Sequence, residues 1–190
     1  MLQPSLPHSS AFDMATAHFS LFGFHSLADG LKLMKKARLI LSSDLDATQM
    51  LGSEADRPLR NKLIAPWLAT ELAGWLKMSA EARQAPSGVP QAAAVLRDQS
   101  GTPTDALLGA FALTTEGLGL APGNPLSLIQ CSDTVEEAQA IAQWYETQWQ
   151  ALSRQDAIQH LIEALDRFTW RQPALSAYSL VLHHVLGARG

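Results

Sequence analysis

The apolar residues change period along the chain, and that change limits the fold more than any other feature. Ala37–Leu41 (ARLIL), Gln91–Arg97 (QAAAVLR), Ala106–Leu113 (ALLGAFAL) and Leu126–Gln130 (LSLIQ) are apolar runs of strand length. Elsewhere the apolar residues recur at helical spacing. Leu27, Leu31 and Met34 make one stripe; Leu63, Trp67, Leu68, Leu72, Trp75 and Leu76 make a broader one; Val135, Ala138, Ile141, Tyr145, Trp149 and Leu152 make a third. A chain that uses both periods is neither all-helical nor all-β. The expected class is α/β, with strands and helices alternating early, strands in the middle and helices at the end.

Local signals place the elements. Residues 1–13 (MLQPSLPHSSAFD) read as a lead-in arm, and Ala15–Phe24 (ATAHFSLFGF) as an aromatic-rich strand that turns at Gly23. Ser26, with Asp29 three residues on, starts a helix from which Lys32, Lys35 and Lys36 point away from the buried stripe. Asp44–Pro58 is an acidic loop. A helix lies within Leu59–Met78, and Pro66 either kinks it or occupies its first turn. Gln84–Pro90 breaks the pattern, and Gly101-Thr102-Pro103 and Pro122-Gly123-Asn124-Pro125 are turns. Asp133 with Glu136 caps the third stripe's helix. Ser153 with Asp156 opens another, carrying Ile158, Leu161, Ile162, Leu165 and Phe168; Pro173 opens the last, which Gly187 stops. The expected division is an α/β domain over 1–152 and a helical extension over 153–190.

Composition excludes several classes. With 190 residues, 47% of them hydrophobic and 17% charged, the chain has the make-up of a packed globular domain. No run approaches the roughly 18 apolar residues of a membrane span. No Lys or Arg precedes Lys32, so the basic start of a secretory signal is missing. The single cysteine, Cys131, cannot form an internal disulfide. The expectation is a soluble cytoplasmic protein without a membrane partner.

Charge is unevenly spread. Lys32–Lys62 holds seven basic and four acidic residues, a balance of +3; Asp98–Asp166 holds ten acidic residues and one basic, a balance of −9. A basic segment of this kind suits a nucleic-acid face, with Lys32, Lys35, Lys36, Arg38, Arg57, Arg60 and Lys62 as candidate phosphate contacts. The acidic half suits a protein partner. Solvated helix faces account for the same pattern, and a net charge of −4 works against strong autonomous DNA binding.

Catalytic motifs are sparse. There is no phosphate-binding loop; Gly117-Leu118-Gly119 has no third glycine at the required spacing and reads as a turn or a close backbone approach. His18 and His25 flank the end of the first strand, at one sheet edge. His183 and His184 are adjacent on a helix and diverge, unlike an i, i+4 metal pair. Together with His8 and His160, they read as structural or surface residues. Cys131 reads as a buried, inert thiol. Asp44 and Asp46 follow a strand, as loop acids in active sites do, but nothing pairs with them. Tyr145 and Trp149 share a helix face alongside Trp144 and read as core rather than a base-stacking platform. No cofactor and no metal site is expected.

Four segments, in order, resemble one family. FSLFGF (Phe19–Phe24), followed by a helix and the strand RLIL, resembles the opening of the phospholipase D-like domain attached to bacterial SNF2- and DEAD-type helicases. Leu107–Leu120 (LLGAFALTTEGLGL) resembles the Gly-Ser-x-Asn-x-Thr-x-x-Gly-Leu segment that follows the family's catalytic motif. Gly109, Thr114, Gly117 and Leu118 match it, and Ala110 and Ala112 replace the polar pair. WYETQW (Trp144–Trp149) is similar to a Trp-Phe-x-x-x-Trp helix, and QPALSAYSLVLHHVL to the helix that leads into the motor. The resemblance spans roughly residues 15–187.

What the resemblance implies is a phospholipase D-like mixed-sheet sandwich with a C-terminal helical extension. In this family a His-x-Lys pair supplies the nucleophile and a phosphate-binding cation. That position here reads VPQAAAVLR, and none of the six histidines is followed two residues later by Lys. Arg97 is left to contact a phosphate, without a nucleophile. The implied role is a non-catalytic domain of a DNA-processing, helicase-associated, defence or restriction protein that positions DNA, a helicase motor or another subunit. A homodimer stays open, because active single-motif relatives assemble their site across two copies. Two other readings stand beside it: a protein–protein interaction subunit without nucleic-acid contact, and a metal-dependent or dimeric phosphodiesterase using Asp44, Asp46 or the histidines.

Overall fold

The computed structural model describes residues 9–43, 48–62, 64–153 and 157–170, with side chains as far as residue 166. One mixed sheet contains β1 (Ala11–Thr16), β2 (Lys36–Ser42), β3 (Ala80–Ala85), β4 (Ala92–Arg97), β5 (Pro103–Gly109) and β6 (Ile129–Cys131), in the order β3-β2-β1-β4-β5-β6. β1, β2 and β3 are parallel and joined through α1 (Leu21–Leu31), then a short α2 (Arg57–Arg60) and α3 (Ala65–Ser79). β4, β5 and β6 add antiparallel on the other side of β1. The chain therefore switches direction of growth at β1. The class is mixed α/β.

Strand alternation builds the layers. Phe12, Met14, Leu39, Leu41, Ala94 and Leu96 face one side and pack with α1, α3 and α5 (Ala157–Trp170). Ala15, Ile40, Val95 and Ala106 face the other side and meet α4 (Val135–Ala151) through Ala138, Ala142, Tyr145 and Trp149. Burying each of Phe12, Phe22 and Phe24 contributes on the order of 2 kcal/mol.

Several elements differ from the sequence expectations, each for a local reason. β1 begins at Ala11, inside the expected arm, and FSLFGF is not a strand. The Ser20 hydroxyl accepts the Gly23 N–H at 3.0 Å, so α1 starts at Leu21 rather than Ser26. Gly23 lets that first turn lie against the Leu113 backbone, which a Cβ would overlap. The lysines do not share a helix: Lys32 follows α1, Lys35 sits in the turn and Lys36 opens β2. Pro66 occupies the first turn of α3, where its missing N–H costs no hydrogen bond. Trp67, expected on the buried stripe, is 54% exposed and meets His25 edge-on.

Residues 80–85, which run from beyond the helix expected within Leu59–Met78 into the expected break at Gln84–Pro90, form the edge strand β3. β5 runs over Pro103–Gly109 instead of 106–113. Thr134, not Asp133, caps α4 by accepting the Glu137 N–H, and Val135 is exposed. Cys131 is also exposed rather than buried, because β6 is a three-residue edge strand. Helix α5 packs on α3 and β3 and adds Leu161 and Leu165 to the larger core. Leu63, Asp156, the side chain of Phe168 and the helix read from Pro173 lie outside the described residues.

Candidate functional site

Three groups of residues bear on function: a closed cluster of charges under α4, the dispersed cations, and a cleft lined by β5 and β6. The first follows from strand alternation, which puts Asp13, Arg38 and Arg97 on the α4 side of the sheet. Asp13 and Arg38 are direct neighbours across β1 and β2. Arg38 donates from Nε and a terminal nitrogen to the two carboxylate oxygens of Asp13, each at 2.7 Å; Arg97 Nε adds a bond at 2.8 Å. The other terminal nitrogen of Arg38 reaches Glu146 of α4 at 2.7 Å.

Aromatic rings close this cluster. The Arg38 guanidinium lies 5.3 Å from the ring centres of both Tyr145 and Trp149. The Tyr145 hydroxyl donates to the Arg38 carbonyl oxygen at 2.8 Å. On β3, Arg83 also lies over the Trp149 ring, 4.4 Å from its centre, and donates to the carbonyl oxygens of Trp149 and Leu152. Hydrogen bonds donated to Asp13 hold the Arg38 guanidinium even more firmly protonated than usual. Gln150, then Arg38, hold the Glu146 carboxyl below its ordinary range, and burial pushes the Tyr145 hydroxyl well above its own. Asp13 is 2% exposed and both its oxygens are taken. Such a carboxylate ties β1 to β2 and β4; it is not placed to accept a substrate's proton.

The seven candidate phosphate contacts do not form one surface. Lys32, Lys35 and Lys36 lie where β2 begins, whereas Arg57, Arg60 and Lys62 lie between the end of β2 and the start of α3. The seven residues of β2 separate these groups by roughly 20 Å. Four of the cations are committed locally. Lys32 pairs with Glu71 and Lys36 with Glu81; Arg38 is in the cluster; Arg60 bonds the carbonyl oxygens of Leu51 and Ser53 and pairs with Glu54. Among the described residues, Lys35, Arg57 and Lys62 are exposed and carry no ion pair. Arg97, the other phosphate candidate, is held by Asp13 and the Gly101 carbonyl oxygen.

The cleft is lined by β5, the segment that follows it and the start of β6, with His18, two residues beyond β1, on its border. Its volume is about 480 Å³. Leu107, Phe111, Leu118 and Ile129 form the apolar walls, and His18, Thr114, Glu116 and Asn124 supply polar edges. Hydrogen bonds with the 53–56 segment hold the loop that forms it. Buried Asp56 accepts the Thr115 hydroxyl at 2.6 Å and the Ser53 N–H at 3.0 Å, and the Ser53 hydroxyl donates to Glu116 at 2.6 Å. Gly117 touches the Ala112 backbone so closely that a Cβ would overlap it, and Gly119 has φ near 73°. The Gly117-Leu118-Gly119 stretch is thus the expected close approach and turn.

His18 borders this cleft 3.4 Å from Gln49, while His25 serves Trp67; His160 is exposed on α5. His8, His183, His184, Asp44 and Asp46 lie outside the described residues. Among the described residues, no group of three or more His, Cys, Asp or Glu could hold a metal ion, and no helix is long and apolar enough to cross a membrane. Sequence reasoning missed Asp13 because it stood at the end of the expected arm. It missed the cleft because Leu107 of β5 and Ile129 of β6 meet there with Phe111 and Leu118, from a segment without regular structure.

No family model matches the sequence, and no curated protein matches it. Among solved structures, the chain is similar to TrmBL2, described as an archaeal chromatin protein with a novel mode of DNA binding, at a TM-score of 0.40 and 8% identity. The match covers 81% of this chain and 48% of that one, so this chain spans about half the length of its structural neighbour.

Proposed function

We propose that this chain is a non-catalytic, phospholipase D-like positioning domain of a DNA-processing assembly, and that it works by contact with a protein partner such as a helicase motor. The observation that carries the reading is where its cations go. Arg38 and Arg97 close on Asp13, and Lys32, Lys36 and Arg60 close on neighbouring acids or carbonyls. Non-specific DNA affinity grows with the number of phosphates neutralised, and of the seven candidate contacts only Lys35, Arg57 and Lys62 stay without an ion pair among the described residues, divided between two places. The family and the helicase association come from the resemblance of the four sequence segments.

The test is a titration against single-stranded and duplex DNA at low and moderate salt, with light scattering on the same sample. The expected result is no salt-sensitive binding in the micromolar range. A second reading, direct contact with nucleic acid, has Lys35, Arg57 and Lys62 in its favour. Under it, micromolar binding would appear at low salt, and charge reversal at those three residues would abolish it.

A further inference from the structure

We propose that the cleft between β5, β6 and the segment joining them is a binding site for a small amphipathic amine, an apolar ring carrying one protonated amino group. The site is independent of the protein-contact reading above. Its volume of about 480 Å³ falls in the size class of small-molecule sites, which combine apolar walls with a few placed polar groups. Phe111, Leu107, Leu118 and Ile129 provide an apolar seat for a ring.

The sign of the ligand's charge follows from the lining. Glu116 and His18 are the titratable side chains that border the cleft, and neither Lys nor Arg lines it among the described residues. A phosphate or carboxylate would find no Lys or Arg to pair with there, whereas an ammonium group would find the Glu116 carboxylate. The Ser53 hydroxyl holds one oxygen of Glu116 at 2.6 Å, which fixes the carboxylate before a ligand arrives. The Asp56–Thr115 bond and the Gly117–Ala112 contact fix the backbone around it. The site is preformed, so little affinity is lost to ordering it.

The experiment is a ¹H–¹⁵N NMR titration of the full chain with 2-phenylethylamine, 2-phenylethanol and 3-phenylpropanoate, which share a ring and differ in charge. The amine is expected to give saturable shifts concentrated in residues 107–129, and the carboxylate to bind at least about tenfold more weakly, a difference of about 1.4 kcal/mol. Glu116→Gln, which keeps the shape and an acceptor for Ser53, should weaken the amine about tenfold and leave the alcohol unchanged. Ser127→Trp, at an exposed position on the rim, should block all three. The proposal is overturned if the amine shifts nothing or shifts residues elsewhere, if the carboxylate binds as well as the amine, or if Glu116→Gln leaves the amine's affinity intact. The comparison of the three probes on the unmodified chain does not depend on any variant folding.

Discussion

Arg38 on β2 grips both oxygens of Asp13 on β1 and, with its remaining terminal nitrogen, holds Glu146 on α4. One side chain thereby joins two strands and the helix that covers them. Removing one partner of a buried pair leaves the other charged and desolvated, so Arg38→Ala should cost on the order of 3 kcal/mol. Lys36→Ala breaks only an exposed pair with Glu81 and should cost less than about 1 kcal/mol. Urea unfolding midpoints of the two variants check the ranking.

The helix covering the sheet should also respond to pH from two directions. The lowered pKa of Glu146 contributes stability above the ordinary carboxylate range, and that contribution is lost as pH falls through the lowered value. The raised pKa of Tyr145 works at the other end: its contribution is intact below the ordinary tyrosine range and is lost as pH rises from there. Glu146→Gln should therefore flatten the acid limb of a stability–pH profile, and Tyr145→Phe the alkaline limb. Tyr145→Phe should also cost about 1 kcal/mol at neutral pH for the bond to the Arg38 carbonyl oxygen.

Two glycines should respond oppositely to alanine. At Gly23 a Cβ would overlap the Leu113 carbonyl oxygen, and both backbones are fixed, so Gly23→Ala should destabilise by about 1–3 kcal/mol. At Gly74, inside α3, a Cβ meets nothing within 4 Å, so Gly74→Ala should stabilise by about 0.5–1 kcal/mol. Thermal unfolding of the two variants should move in opposite directions.

The wall of the cleft rests on Asp56. Thr115→Val keeps the shape and removes the hydroxyl that Asp56 accepts, leaving a buried acceptor short of a donor. A loss of about 1–3 kcal/mol is expected, with hydrogen exchange accelerated in residues 110–120 before the rest of the sheet.

The periodicity made the class legible, and Ala37–Leu41, Ala92–Arg97 and the Tyr145/Trp149 face stand where it placed them. What it missed was decided by contacts between distant segments. Ser20 and Gly23 start α1 early because Leu113, ninety residues away in the chain by rough count, receives the Ser20 N–H. AEARQA has few β-forming residues and becomes strand β3 because β2 offers a parallel partner. The basic segment looked continuous in sequence, but β2 carries its two halves to opposite ends of the sheet. A lone Asp13 gave no sign that two arginines from other strands would meet it.

The most direct test of the account is a double-mutant cycle on the pair at its centre, with Asp13→Leu, Arg38→Met and the two combined, read by urea unfolding. If the cations of this fold are spent on holding it together, each single change is costly and the double variant loses far less than their sum, with a coupling of about 2 kcal/mol or more. Additive losses, with coupling near zero, would show that Arg38 is not bound to Asp13 in this way and would return it to the surface as a residue available to a phosphate.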